Sequence, residues 1–381
     1  MRCTRALIYS ENLKNNINEI KNNLKPGVKF CCAVKADGYG NDAVNSAKIA
    51  QELGASYLAI ATVDEGIELR NAGIQTDLLL LSPCCPDEFT ELIENKITPL
   101  LFDEEIIKAL DECPKSNIHK QPVFLAVDTG MGRIGCLPEE AGTIAKRIAG
   151  SKTLNLTGMI THFAVSDSIS EENIEYTKHQ FENFKKAIEN VKKQGIAPGI
   201  CTCSASAAGI AIPEYQMDMI RPGIILYGYY ADEVTKEYLK SKGITLNLKP
   251  VMQFETKVVS IRHFTPGRSV SYGRTWVCKK ETDIAVLPVG YADGLLRRNS
   301  PGLKVSINGK PYPVIGRICM DQCMVDIGLN NTDVKRWDTA VIFGPKDKGA
   351  YFDADDIARM TGTISYEVMT SLSKRVKRII L

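Results

Sequence analysis

Short apolar runs alternate with amphipathic, charge-rich stretches from residue 1 to about residue 230. The apolar runs predict eight strands, which are FCCAVKA, YLAIATV, DLLLLS, ITPLLF, VFLAVD, LTGMITHF, GICTCSA and IRPGIILYG. Helical patterns such as DAVNSAKIAQELGA and VDEGIELRNAGI lie between them and end at small residues, as helices commonly do. Eight strand–helix alternations predict a closed, parallel (β/α)8 barrel of the TIM type, with a doubly wound open sheet as the alternative.

The pattern changes near residue 237, where β runs separated by PG, NG and GK turns replace the alternation. Asn308-Gly309 favours a two-residue hairpin between two of these runs. A helical or turn region, FDADDIARMTGTISYEVMTSLSKRV, is embedded among them. We therefore predict a barrel domain over residues 8–236 and a mostly-β domain over residues 237–381, which also takes in an N-terminal strand at residues 1–7.

Composition excludes several classes of protein. The chain has 381 residues, 44% of them hydrophobic, and a net charge of +2 that gives no electrostatic argument for nucleic acid or a membrane surface. Without a signal sequence or an apolar run of about 20 residues, we expect a cytoplasmic protein with reduced thiols. Twelve cysteines without paired CxxC spacing, and only four histidines, argue against a metal site. The basic tail KRVKRII is predicted to be a solvated edge.

Polar residues follow the predicted barrel strands at the ends where a barrel carries its reactive loops. They include Lys35, Arg133, His162, Ser206 and Arg221. Taken alone, a lysine at the end of an apolar run could simply extend its ammonium to the solvent at the rim. Together, these cations and hydroxyls predict a site for a phosphate-bearing ligand beside a nucleophilic amine. Pyridoxal phosphate fits this description, and NADP or a sugar phosphate fits the same cluster.

Several strings resemble a known family. AVKADGYGND resembles the cofactor-lysine signature of the alanine racemases, which are two-domain pyridoxal-phosphate enzymes. The strings VDTGMGRIG, GMITHFAVSD, IRPGIILYG, SYGRTW, PVGYADG, GRICMDQCMVDIG and TISYEV are similar to that family in the same order along both domains. The resemblance implies a homodimeric amino-acid racemase that acts on alanine by a two-base mechanism and supplies D-alanine for peptidoglycan.

The resemblance also implies a role for each matching residue. Lys35 would hold pyridoxal 5'-phosphate covalently and act as one base, and the partner's Tyr272 would be the other. The residues implied to bind the cofactor are Arg221 at the ring nitrogen, His162 between Arg221 and the tyrosine base, and Tyr39, Ser206, Gly223, Ile224 and Tyr366 at the phosphate. The residues implied to face the substrate or its access path are Arg133, Tyr291, Met320 and Asp321.

Two positions depart from the family pattern. Many members carry a carbamylated lysine where this chain has Ala126, which leaves open what orients Arg133. The usual asparagine before the phosphate serine is Ala205 here.

Serine racemisation is the runner-up activity, since a small apolar pocket rejects an added hydroxyl by only about 100-fold. A pyridoxal-phosphate carrier protein and an amino-acid decarboxylase are two further possibilities.

Overall fold

The computed structural model describes residues 2–115 and 120–381. The strands before residue 237 are β1 (Arg5–Ile8), β2 (Lys29–Ala33), β3 (Tyr57–Ile60), β4 (Asp77–Leu80), β5 (Ile97–Thr98), β6 (Leu100–Leu101), β7 (Gln121–Ala126), β8 (Leu154–Ile160), β9 (Ile200–Thr202) and β10 (Met219–Ile220). The helices that begin before that residue are α1 (Ser10–Asn22), α2 (Lys35–Tyr39), α3 (Ala43–Glu52), α4 (Val63–Asn71), α5 (Phe89–Glu94), α6 (Glu104–Asp111), α7 (Ala141–Ala149), α8 (Glu171–Lys193), α9 (Ser206–Ala211) and α10 (Lys236–Ser241).

The strands β2 to β10 close into a parallel barrel. Hydrogen-bonded pairing runs in the order β10-β2-β3-β4-β5 and, after the break at Pro99, in the order β6-β7-β8-β9. The amide of Phe124 bonds the Pro99 carbonyl at 3.0 Å, so β5 and β6 act as one interrupted strand. The ring closes where Arg221 N donates to the carbonyl of Ser204 at 3.0 Å. The predicted eight-stranded barrel is confirmed, and the open sheet is wrong.

Helix α8 shows how the sequence pattern builds the outer layer of the barrel. The side chain of Ser170 caps it by accepting a hydrogen bond from Asn173 N. Its buried residues recur every three or four positions, as an amphipathic helix requires, and they are Thr177, Gln180, Phe181, Phe184, Ala187, Ile188 and Val191. This helix therefore covers the barrel while its charged face meets solvent.

The second half is mostly β, as predicted. Its elements are β11 (Met252–Lys257), β12 (Ser260–Phe264), β13 (Ser269–Val270), β14 (Trp276–Val277), β15 (Thr282–Leu287), β16 (Lys304–Ile307), β17 (Lys310–Ile315), β18 (Cys323–Asp326), β19 (Thr339–Phe343), α11 (Ala354–Thr361), α12 (Ser365–Thr370) and β20 (Lys377–Ile380). A nine-stranded sheet has the order β12-β15-β18-β17-β16-β19-β11-β1-β20, so β1 joins this half. Asn308 and Gly309, with φ of 50° and 76°, turn the β16–β17 hairpin as predicted. The limits of the two domains stay a prediction.

The basic tail forms the exposed edge strand that its composition predicts, since Lys374, Arg375 and Lys377 are exposed and β20 is the last strand of the sheet, but Arg378 is an exception. Arg378 in β20 has a side chain only 11% exposed, and its guanidinium donates to four main-chain carbonyls. The prediction fails at Arg378 alone, because a guanidinium can be satisfied by main-chain acceptors as well as by water. Within the described residues, no helix has the length and apolar character that crossing a bilayer requires.

Gly158 in β8 tests the packing of the barrel. A Cβ at this position would lie 2.4 Å from Cε1 of Phe124 and 2.6 Å from the carbonyl oxygen of Ile200. We therefore expect Gly158→Ala to lower the free energy of unfolding by about 1–3 kcal/mol, measured by urea denaturation. Gly150→Ala is the matched control, because φ there is −76° and the nearest atom to an added Cβ is 3.4 Å away. Equal stability of the two variants would contradict this packing.

Candidate active site

A cavity of about 550 Å³ opens at the carboxyl ends of the barrel strands. It brings together nine of the residues that the sequence singled out, which are Lys35, Tyr39, Arg133, His162, Ser206, Arg221, Gly223, Ile224 and Tyr366. Ala126 and Ala205, the two departures from the family pattern, also line it. The cavity therefore collects the predicted amine, the predicted cations and the predicted hydroxyls in one place.

Lys35 enters this cavity from a left-handed turn. Ala36, Asp37 and Gly38 have φ/ψ near 53°/52°, 54°/46° and 60°/43°, and Tyr39 has a φ of 54°. Left-handed helical backbone costs roughly 1–2 kcal/mol for each residue other than glycine. Such strain persists where surrounding contacts fix it, and it is concentrated at functional sites. The glycines at 38 and 40 predicted a turn, but not that Ala36 and Asp37 would share this conformation.

The surroundings of Lys35 favour the neutral amine. Burial lowers the pKa of the Lys35 ammonium, the nearby charge of Arg133 lowers it further, and Glu65 acts in the opposite direction. Glu65 also accepts a hydrogen bond from Ala36 N at 2.7 Å, which holds the start of the turn. A lowered pKa makes more of the amine available as a nucleophile or base near neutral pH.

Arg221 and His162 form a buried pair. The Arg221 guanidinium donates to Thr202 Oγ1 at 2.6 Å, to the Thr161 carbonyl at 2.7 Å and to His162 Nδ1 at 3.2 Å. Because arginine has no acceptor, Nδ1 of His162 must accept, which assigns the proton of the neutral ring to Nε2. Burial, together with Arg221, Arg133 and Lys35, lowers the pKa of His162 to about 3. Burial lowers the pKa of Arg221 to about 10, so it stays cationic at neutral pH.

Another part of the cavity lining carries hydroxyl and amide groups. Ser206 Oγ accepts a hydrogen bond from Gly223 N at 2.9 Å, and a Cβ at Gly223 would lie 2.7 Å from the Tyr39 hydroxyl. The ring of Tyr39 lies 5.7 Å from that of Tyr366. Across residues 2–115 and 120–381, the hydroxyls of Tyr39 and Tyr366 have no hydrogen-bond partner. Ile224 begins a 3-10 turn, Ile224–Tyr227, directly after Gly223.

Arg133 follows a loop that is held by its own hydrogen bonds. Asp128 Oδ1 accepts hydrogen bonds from Gly130 N at 2.9 Å and Gly132 N at 3.1 Å. Tyr176 of α8 donates to the Gly130 carbonyl at 2.7 Å. In the described parts of the chain, the Arg133 guanidinium has no ion pair or hydrogen bond, and it lines the cavity as an unpaired cation.

The remaining predicted residues lie outside this cavity. Tyr272, Met320 and Asp321 line a separate cleft on the β half, where Tyr272 is 69% exposed and Met320 is 52% exposed. Tyr291 lies beside them, because its amide bonds the carbonyl of Cys319 at 3.1 Å. The structure therefore places Lys35 and Tyr272 of one chain in two different clefts.

Sequence reasoning missed the residue that holds this second cleft together. Asp293 has a fully buried side chain and accepts hydrogen bonds from Arg2, from Arg375 at 2.7 Å and from Gly290 N at 3.0 Å. Arg375 extends to Asp321 at 2.5 Å. Asp293 lies in the matching string PVGYADG, but that string does not indicate its partners Arg2 and Arg375, which lie near the two ends of the chain. Among the described residues, no cluster of His, Cys, Asp and Glu is arranged to hold a metal ion.

The lowered pKa of His162 gives a pH dependence of stability. The unfolded chain binds a proton below the ordinary pKa of about 6.5, and the folded chain does not until about pH 3. His162 therefore lowers the free energy of unfolding as the pH falls through this range, by at most about 1.4 kcal/mol per pH unit. Urea denaturation between about pH 6.5 and pH 4.5 should give a shallower slope for His162→Gln than for the wild type. Parallel slopes would show that the ring is protonated normally.

Comparison with known proteins identifies the family of this chain. Residues 8–231 match the family model "Alanine racemase, N-terminal domain", and residues 251–380 match "Alanine racemase, C-terminal domain". The alanine racemase of Treponema denticola is 47% identical over 100% of this chain and 99% of its own length. The solved alanine racemase of Clostridium difficile 630 has a TM-score of 0.92 at 38% identity, covering 100% of this chain and 96% of that one. The alanine racemase of Bacillus anthracis with bound L-Ala-P has a TM-score of 0.91 at 32% identity, covering 100% and 95%. The chain belongs to the alanine racemase family.

Proposed function

We propose that this protein interconverts L- and D-alanine with pyridoxal 5'-phosphate held at Lys35, and that it does so as a head-to-tail homodimer. The supporting observation is that the two proposed bases of one chain lie in different clefts. Lys35 lines the barrel cavity, and Tyr272 lies 69% exposed in another cleft, so a second chain is needed to bring two bases together. Family membership also supports a cytoplasmic role in supplying D-alanine for peptidoglycan.

The cavity fits the cofactor at both ends. Gly223 leaves the space that a Cβ would fill, and the unpartnered hydroxyls of Tyr39 and Tyr366 and the hydroxyl of Ser206 can donate to a phosphate. Arg221 would face the ring nitrogen and, having only donors, would leave that nitrogen unprotonated. When bound, pyridoxal phosphate supplies the electron sink that makes the Cα proton of an amino acid removable.

The chain's own residues can then provide the proton transfers. Racemisation removes a proton from one face of Cα and returns one to the other face, so two acid–base groups must flank it. The lowered pKa of Lys35 suits it to one of these roles. The partner's Tyr272 would serve on the opposite face, where the Nε2 proton of His162 is free to donate to a phenolate oxygen. Arg133, an unpaired cation, would hold the substrate carboxylate.

A carrier protein and a decarboxylase each fit this chain less well than a racemase does. A carrier protein would need only the barrel half, whereas this chain also matches the C-terminal domain of the racemases. A decarboxylase would call for an acidic partner at the ring nitrogen, where this chain has Arg221. Turnover of L-alanine and L-serine by the purified protein, read with a D-amino-acid oxidase, measures the preference between the two racemase substrates.

Loss of either proposed base should slow racemisation strongly while leaving the fold intact. We expect Lys35→Ala and Tyr272→Phe each to lower kcat/KM for L-alanine by about 10²–10⁴-fold, since a positioned acid–base group contributes that much. Tyr351→Phe is the matched control, because this tyrosine is 42% exposed and lies outside both clefts. A Tyr272→Phe enzyme with full activity in both directions would contradict the two-base assignment.

Mixing the two inactive variants tests the shared site. A hybrid dimer of Lys35→Ala and Tyr272→Phe chains has one doubly defective site and one site with both bases intact. Equal mixing with subunit exchange should therefore restore about one quarter of the wild-type activity, because half of the dimers are hybrids with one working site each. Light scattering should show a dimer in every sample. No recovery despite proven exchange would place both bases in one chain.

A further inference from the structure

The left-handed turn that carries Lys35 is held at both ends by charged side chains. At its start, Glu65 accepts from Ala36 N at 2.7 Å and from Ala61 N at 2.7 Å. At its end, the Arg378 guanidinium of β20 donates from Nε to the Gly40 carbonyl at 3.0 Å and lies 3.7 Å from Asp37 Oδ2. The two ends are therefore fixed from opposite sides, one by the barrel and the other by the C-terminal strand.

The remaining donors of Arg378 fix the guanidinium itself. Its Nη1 donates to the carbonyls of Ser373 at 3.0 Å and Val376 at 2.7 Å, and its Nη2 donates to that of Leu372 at 3.0 Å. A planar guanidinium can bridge such spread acceptors, whereas a lysine ammonium is a single point of charge. Arg378 thus connects the turn to the segment 372–376 through geometry that lysine cannot reproduce.

The turn also lies close to α12 at Gly40, the residue whose carbonyl Arg378 binds. A Cβ at Gly40 would lie 2.5 Å from the Met369 carbonyl, so the two segments are in close contact. Tyr366 of the same helix faces Tyr39 of the turn, with ring centroids 5.7 Å apart. Displacing the turn would therefore move Lys35 and also the hydroxyl of Tyr39 relative to that of Tyr366.

We propose that Arg378 is a positioning residue for the reaction: by holding the Gly40 end of the left-handed turn, it aims the Lys35 amine and the Tyr39 hydroxyl into the cavity. This proposal rests on the proposed function, since it concerns attachment of the cofactor at Lys35. Arg378 does not line the cavity, so it acts through the backbone of the turn.

The test measures how fast Lys35 is labelled. Full-length protein freed of cofactor is mixed with pyridoxal phosphate, quenched with borohydride at intervals over a range of pH, and analysed for the label on Lys35 by mass spectrometry. We expect Arg378→Gln and Arg378→Lys to slow labelling by about tenfold to a hundredfold, as misplacement of a reacting group does, and to change its pH profile.

Two controls separate positioning from general loss of stability. Lys377→Gln alters the exposed neighbour of Arg378 on β20 and should label at the wild-type rate. Leu13→Ala removes a side chain of α1 that is 1% exposed, and it should lower the free energy of unfolding while leaving the labelling rate within about twofold. Arg378 variants that label at the wild-type rate, or no more slowly than Leu13→Ala, would overturn the proposal. Wild-type protein that is never labelled would instead overturn the proposed function.

Discussion

The placement of one amine depends on a short stretch of strained backbone. The turn from Ala36 to Tyr39 is left-handed, a conformation that costs free energy at each residue other than glycine. Glu65 holds its start and Arg378 its end, and the tyrosine rings around Tyr39 pack against it. The barrel supplies the base of the cavity, and these contacts determine where Lys35 points.

The proposed site extends over two surfaces of the chain that differ in charge and in their supporting contacts. The cavity holds Lys35, Arg133 and Arg221 beside a neutral His162, which suits an anionic ligand. The exposed cleft with Tyr272 is stabilised by other contacts. There, buried Asp293 binds Arg2 and Arg375, which lie near the two ends of the chain. Each surface is preorganised, and neither contains both proposed bases. A dimer is the simplest assembly that joins them.

The sequence predicted the architecture better than it predicted the side chains that hold the turn carrying Lys35. The apolar runs predicted the barrel strands correctly, because a buried strand is a short run of hydrophobic residues in the sequence. Nine of the residues predicted from the matching motifs line one cavity. Glu65 lies in the first turn of α4, and the sequence analysis did not predict that its carboxylate accepts from Ala36 N and Ala61 N. The contacts of Arg378 could not be predicted because its acceptors are main-chain groups, which leave no trace in sequence.

The most direct test of the central claim is the identity of the residue that binds the cofactor. Protein saturated with pyridoxal phosphate is reduced with borohydride, digested and mapped by tandem mass spectrometry. We predict a single pyridoxyl group on the peptide that contains Lys35, with loss of that label in Lys35→Ala. Label distributed over surface lysines, or an unlabelled Lys35 at saturating cofactor, would contradict this assignment.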